Sequence, residues 1–203
     1  MHEIFLIRHT APAVARGICY GQSDIDVTET FIQEASVISQ VLPERLDLVY
    51  SSPLLRCRKL AEHLFCDKQI VFENDLMEIH CGQWEMQQWD SLPREIIDPW
   101  MNDFVNQKIP GGESYVEVFA RVSRCFDGIV NKQRSAAIVC HGGVIRSILA
   151  HITATPLAES FNRFKLHYGC VVKVIVDEKR LSYQVISNVA TEAETHKPSS
   201  NAR

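Results

Sequence analysis

The 203-residue chain predicts a three-layer α/β/α sandwich whose central sheet is mostly parallel, with an antiparallel hairpin at its C-terminal edge. Three observations lead there. Ile4 to Ile7, Leu46 to Tyr50 and Ala136 to Cys140 are short, continuous apolar runs, the pattern of strands covered on both faces. Each run ends in polar or turn-forming residues and a helical pattern follows, the alternation that builds a parallel sheet. Val171 to Val176 and Leu181 to Ile186, separated by Asp177 to Arg180, close the chain as a hairpin.

The first strand passes abruptly into polarity at Arg8 and His9. Open α/β sheets bind ligands beyond the carboxyl ends of their strands, so this pair is either an anion site with a candidate nucleophile or the ordinary polar end of a strand. Thr10 to Asp24, interrupted by Pro12, Gly17 and Gly21, is a loop that offers Arg16, Tyr20, Gln22 and Ser23 beside that strand end. Thr28 is expected to cap a helix reaching about Leu42, with Phe31, Ala35, Ile38 and Leu42 on one face and Pro43 as its stop. After the second strand, Ser52 suits an N-cap and Pro53 a first helical position, in a helix whose core face is Cys57, Leu60, Ala61 and Leu64. Arg56 falls in its first turn and leans back toward the edge that Arg8 occupies.

Gln69 to Phe72 forms a short strand. Residues 73–112 have little periodicity and hold Trp84, Trp89 and Trp100, which predicts a lid or side wall with short helices near 85–90 and 94–106. The tryptophans either stack on a substrate ring or anchor the segment to the core, and anchoring is the commoner use. Ser114 and Glu117 make a capping box, and Val116, Phe119, Val122, Phe126 and Ile129 give the helix behind it an apolar stripe. His141-Gly142-Gly143 then repeats the opening theme of a histidine at a strand end, here beside glycines that let a helix N-terminus approach a phosphate. Residues 1–187 are expected to be one domain and 188–203 a flexible tail.

Composition narrows the function. A formal net charge of −4 without a basic stripe argues against a nucleic-acid binder. Seven cysteines, an odd number with no Cys-x-x-Cys pair, suggest reduced, packed thiols in a cytoplasmic protein. No apolar stretch approaches membrane-spanning length, so no membrane partner is expected, and a homodimer is left open. No histidine pair has metal-ligand spacing, and there is no Walker loop, aspartate-rich metal signature or Cys-x5-Arg loop. Two arginines and two histidines on one sheet edge instead suit a phosphoryl group, which guanidinium forks hold and a neutral imidazole can attack. Neither a metal nor a cofactor is implied, and the expected partner is a small phosphorylated substrate.

Leu-Ile-Arg8-His9-Thr10, Ser51-Ser52-Pro-Leu-Leu-Arg56, Glu78 with Gly82-Gln-Trp84-Glu85, Gly112-Glu113-Ser114 and Val139-Cys-His141-Gly142-Gly143 together resemble the histidine phosphatase, or phosphoglycerate mutase-like, family in its own motif order. The resemblance implies that His9 becomes phosphorylated, that Arg8, Arg56 and His141 bind the phosphate, and that Glu78 is the acid/base carboxylate. From the residues alone Glu78 is an exposed loop carboxylate, and Glu85 is its neighbouring competitor. Thr10 and Phe31 stand where the family usually has glycine, and Thr10 leaves the local backbone open. Ile79 after Glu78 and the short segment to Gly112 favour a phosphatase over a mutase. The loop from Arg16 to Asp24 is similar to that of α-ribazole-5′-phosphate phosphatases of cobalamin nucleotide-loop assembly, which implies removal of that 5′-phosphate, or of the phosphate of its corrinoid-linked form. A broad sugar-phosphate phosphatase, a phosphoglycerate mutase and a non-catalytic phosphohistidine-binding module are the alternatives.

Overall fold

The apolar runs pair into one six-stranded sheet in a computed structural model that describes residues 1–178 and 180–190. The strands are β1 (His2–Arg8), β2 (Leu48–Ser51), β3 (Ile70–Phe72), β4 (Ala136–Cys140), β5 (Val171–Asp177) and β6 (Arg180–Ser187), in the order β3-β2-β4-β1-β5-β6. The first four of that order run parallel, and β5 and β6 follow antiparallel, as the sequence predicts. Strand pleating divides the core. Ile4, Leu6, Ile138 and Val172 face helices α4 (Tyr115–Val130) and α5 (Gly142–Thr153). Phe5, Ile7, Val49 and Val139 face α1 (Phe31–Ser39) and α2 (Leu55–Leu64). Two shorter helices, α3 (Arg94–Asn102) and α6 (Leu157–Arg163), complete the set.

Register decides where polarity begins. Arg8 lies opposite Cys140, and Ser51 opposite Val139, so β2, β4 and β1 end level with one another at one edge. Their following residues, Ser52, His141 and His9, therefore emerge side by side.

The local start signals are partly overridden. Thr28 does not cap α1; its carbonyl accepts from Phe31 N, and the helix begins at Phe31 after an N-cap Thr30 that makes no side-chain cap bond. α2 starts at Leu55 rather than at Pro53, with its Leu55 N–H donating to Asp24 of the Arg16–Asp24 loop (2.6 Å). Ser52 Oγ accepts from Leu54 N (3.4 Å) and also meets His141 Nε2 (2.8 Å). The capping box of Ser114 and Glu117 forms as expected. The stripe of α4 is rotated, however: Tyr115, Val118, Val122, Phe126 and Ile129 are buried while Val116 is 41% exposed. Cys66 is exposed rather than packed, whereas Cys19, Cys57, Cys81, Cys140 and Cys170 are buried.

In residues 73–112 the segment near 85–90 is a pair of 3₁₀ turns, Gly82–Trp84 and Trp89–Ser91, and the helix near 94–106 stops at Asn102. The three tryptophans meet one another. Trp84 is edge-on to Trp89 and Trp100, with ring centroids 6.0 and 5.4 Å away, while Trp89 and Trp100 stack at 5.7 Å. With Cys19, Cys81, Leu92, Ile97 and Ile109 they make a satellite core that ties this segment to the Arg16–Asp24 loop, so the tryptophans anchor. No helix is long and apolar enough to cross a membrane among the described residues.

The register of α4 is testable by contrast. Phe126→Ala empties a fully buried site and is expected to cost about 3–5 kcal/mol in urea unfolding, whereas Val116→Ala should cost no more than about 0.5 kcal/mol. Equal losses would contradict the packing described.

Candidate active site

The edge formed by β1, β4 and β2 collects the chemistry. His9 directly follows β1, is 1% exposed, and is pinned at the backbone, its N–H donating to Cys140 O (3.0 Å) and its carbonyl accepting from Gly169 N (3.1 Å). Its Nδ1 lies 2.7 Å from Thr10 O. Only a protonated Nδ1 can donate to a carbonyl, which leaves the ring's lone pair on Nε2. Thr10 thus supplies the group that selects the tautomer. It has an ordinary negative φ, so nothing in its backbone requires glycine, and its side chain is fully buried.

His141 is the N-cap residue of α5 and has no exposed surface. Its ring centroid is 5.1 Å from that of His9. Ser52 Oγ lies 2.8 Å from Nε2 and Cys57 Sγ 3.4 Å from it. Burial first, then Arg56, His9 and Arg8, hold His141 well below its ordinary value of 6.5, so it is neutral near pH 7. Burial pushes the Cys57 thiol up to about 12, which leaves it a protonated neighbour.

The two arginines are held from outside the sheet. Arg8 Nη1 donates to Leu166 O, and its guanidinium lies 4.1 Å over the Tyr168 ring, which in turn is 5.4 Å from His9. Arg56, the second residue of α2, is completely buried, and its two Nη groups donate to Gly21 O (2.7 Å) and Ser23 O (2.9 Å). Arg56 Nε and Thr10 Oγ1 are buried with no hydrogen-bond partner among the described residues. Orphaned buried donors are costly, and the oxygens of a bound phosphate would satisfy them.

Glu78 reaches this edge from the segment after β3. Its Oε2 accepts from Gly143 N in the first turn of α5 (3.0 Å) and its Oε1 from Ile79 N (3.0 Å). A Cβ on residue 143 would sit 2.2 Å from Glu78 Oε1, so only glycine lets the carboxylate come this close. Glu85, the competitor, serves elsewhere: it accepts from Gln22 N, Ser23 N, Ser23 Oγ and Cys81 N, tying loop to wall.

The loop residues expected beside the site divide. Gln22 Nε2 donates to Glu78 O (2.9 Å), Ser23 holds Arg56 and Glu85, and the Tyr20 ring lies 5.2 Å from the Arg56 guanidinium, its hydroxyl 3.0 Å from that of Tyr168. Gly142 opens α5 next to His141. Arg16 is exposed at the start of the loop.

Sequence reasoning missed the positioning pair Arg121 and Glu113. Arg121 on α4 donates to Asp75 O and Met77 O (both 2.8 Å) and to Glu78 O (3.0 Å), while Nε and Nη2 grip Glu113 as a two-point ion pair at 2.8 and 3.0 Å. Burial opposes ionisation of Glu113, but Arg121 and the His80 N–H outweigh it and hold the carboxyl below its usual range. Helical spacing could not reveal this pair, because the partners are backbone carbonyls 43 to 46 residues away. No group of three or more His, Cys, Asp and Glu that could hold a metal ion occurs among the described residues.

A histidine kept neutral by folding makes stability depend on pH. Below about 6.5 the unfolded chain protonates residue 141 and the folded one does not, so stability is lost as pH falls from that value. His141→Gln is expected to flatten the acid limb of a stability–pH curve by up to about 1.4 kcal/mol per pH unit. An unchanged slope would contradict a neutral, buried imidazole.

The site can be set beside known proteins. Residues 4–189 match the Histidine phosphatase superfamily (branch 1). The chain is 31% identical to the metal-independent phosphoserine phosphatase of Arabidopsis thaliana over 74% of its own length and 68% of the relative's. It is 30% identical to "Probable phosphoglycerate mutase GpmB" of Erwinia tasmaniensis, covering 86% of this chain and 85% of that one. The crystal structure of the α-ribazole phosphatase from Shigella flexneri superposes with a TM-score of 0.81 at 25% identity, over 91% of this chain and 95% of that chain. The match spans β1 through β6 and takes in both strand-end histidines: the chain belongs to branch 1 of the histidine phosphatase superfamily.

Proposed function

We propose that the chain hydrolyses small phosphomonoesters through a phosphohistidine on His9, without a metal ion. The observation that carries this reading is the meeting of His9, His141, Arg8, Arg56 and Glu78 at the level ends of β1, β4 and β2. Nε2 of His9 attacks phosphorus while the bond to the substrate's ester oxygen breaks, and that oxygen takes the proton of the Glu78 carboxyl. Water then gives a proton to Glu78 and attacks the phosphohistidine, the P–N bond breaks, and phosphate leaves. Arg8, Arg56 and His141 stabilise the charge on the equatorial oxygens, and being held in place already they need no reorganisation. The metal-independent relative supports the metal-free course.

For the substrate, the loop from Arg16 to Asp24 and the Shigella neighbour support α-ribazole 5′-phosphate or its corrinoid-linked form, with Arg16, Tyr20, Gln22, Ser23 and Gly142 as further contacts. Gln22 and Ser23 already hold Glu78, Arg56 and Glu85, which makes them wall rather than freely offered ligands. A second reading, a phosphorylated hydroxy or amino acid, is supported by the relatives named for phosphoserine and phosphoglycerate. The setting we infer is cytoplasmic, with neither nucleic acid nor membrane as partner.

Phosphate release from α-ribazole 5′-phosphate, phosphoserine, 3-phosphoglycerate and fructose phosphates at equal concentrations, with a chelator present, tests the reading. Hydrolysis insensitive to the chelator is expected, and no release from any of them would favour the binding module. In kcat/KM, which reports transfer to His9 and not the later hydrolysis in which Glu78 is the base, Glu78→Gln should slow alkyl phosphates about 100-fold and p-nitrophenyl phosphate far less, because a good leaving group needs no acid. Equal losses would assign the acid to another residue.

A further inference from the structure

A third guanidinium stands at this edge with no part in the reaction described. Arg146 lies one helical turn after Gly142 on α5, and its side chain runs back along that face toward the helix start. A Cβ on Gly142 would sit 3.1 Å from Arg146 Nη1 and 3.3 Å from Arg8 Nε, so the two guanidinium groups converge above the same backbone atom. The stem of Arg146 is fixed: Nε donates to Phe164 O (3.1 Å) and the group lies 4.6 Å over the Phe161 ring. Its Nη groups make no hydrogen bond or ion pair among the described residues; the Glu78 carboxylate favours the guanidinium by its charge but is hydrogen-bonded to Gly143 N and Ile79 N instead.

Two like charges brought together inside a fold repel, and burial followed by Arg8 lowers the Arg146 pKa from its usual value. An anion between or beside the two cations would relieve that repulsion. In the reaction proposed above, the transferred phosphoryl group takes His9, Arg8 and Arg56, and Glu78 meets the departing oxygen. Arg146 and Arg8 adjoin Gly142, and Glu78 adjoins the next residue, Gly143, so Arg146 and Glu78 both border the start of α5.

We infer that Arg146, with Arg8, forms a subsite for a second anionic group, a carboxylate, on the leaving alcohol. Arg146 is then a specificity residue that selects small phosphorylated carboxylic acids over uncharged phosphomonoesters. Its rigid fork, aimed by the Phe164 carbonyl and the Phe161 ring, suits a planar carboxylate. The inference rests on the phosphomonoester reading for the identity of the first anion, and it favours the hydroxy- or amino-acid substrate over α-ribazole 5′-phosphate.

Binding of two non-hydrolysable probes separates the two claims. In titration calorimetry the full chain is expected to bind 3-phosphonopropionate about tenfold more tightly than ethylphosphonate, which lacks the carboxylate. Arg146→Met should bring that ratio close to one, and Arg146→Lys should restore only part of it, with thermal melting confirming that both variants fold. Equal wild-type affinities, or a variant that weakens both probes by the same factor, would overturn the subsite. Because this ratio needs no turnover, a wild-type chain that prefers 3-phosphonopropionate yet releases no phosphate would count against the phosphatase reading and for the subsite.

Discussion

A guanidinium group with no exposed surface has to be satisfied where it lies, and for Arg56 that duty falls to the carbonyls of Gly21 and Ser23. Much of the site follows from this demand. The loop that supplies those carbonyls is held by Glu85, which ties it to the wall, and its Asp24 caps α2 in place of a local residue. Ser52, two residues before the N-cap Leu54, accepts from its N–H and also meets His141. Carbonyls satisfy hydrogen-bonding capacity but bring no net negative charge, so the buried cation still calls for an anion beside it.

The charge is graded around that point. His141 is kept neutral, which limits the self-repulsion of a cluster that also holds Arg8 and Arg56. Glu78 reaches the edge only because residue 143 has no side chain and because Arg121 grips the carbonyls of residues 75, 77 and 78. Arg121 in turn is neutralised by Glu113, a residue of the Gly-Glu-Ser motif whose neighbour Ser114 caps α4. One short motif therefore starts a helix and steadies the strut that positions the carboxylate.

The strands are legible because both-face burial writes itself as continuous apolar runs, and β4 has the bounds of its run, Ala136–Cys140. The strand-end residues Arg8, His9 and His141 followed, since parallel pairing puts carboxyl ends together. Helix starts were less legible. Ser52 and Thr28 have capping side chains, but a cap can be supplied by a distant residue, as Asp24 does, and local chemistry then misleads. Arg121 and Arg146 left no periodic signal, because a polar side chain reaching backbone atoms far along the chain has no characteristic spacing. The tryptophans were placed in the right segment but their mutual packing belongs to tertiary structure alone. Of residues 188–203, expected as a flexible tail, Asn188 is instead held in place, accepting from His167 N and donating to Lys165 O, and 191–203 lie outside the described residues.

In the proposed reaction His9 would carry the phosphoryl group on Nε2, the ring nitrogen left free by the contact of Nδ1 with Thr10 O. Rapid acid-free quenching of the enzyme during turnover, followed by intact-protein and peptide mass measurement, tests it most directly. The expected result is a single added phosphoryl group on the peptide containing His9, stable in base and lost in acid, and absent from His9→Ala. Turnover with no phosphorylated peptide at any time, or a phosphoryl group found on His141 or Ser52 instead, would contradict it.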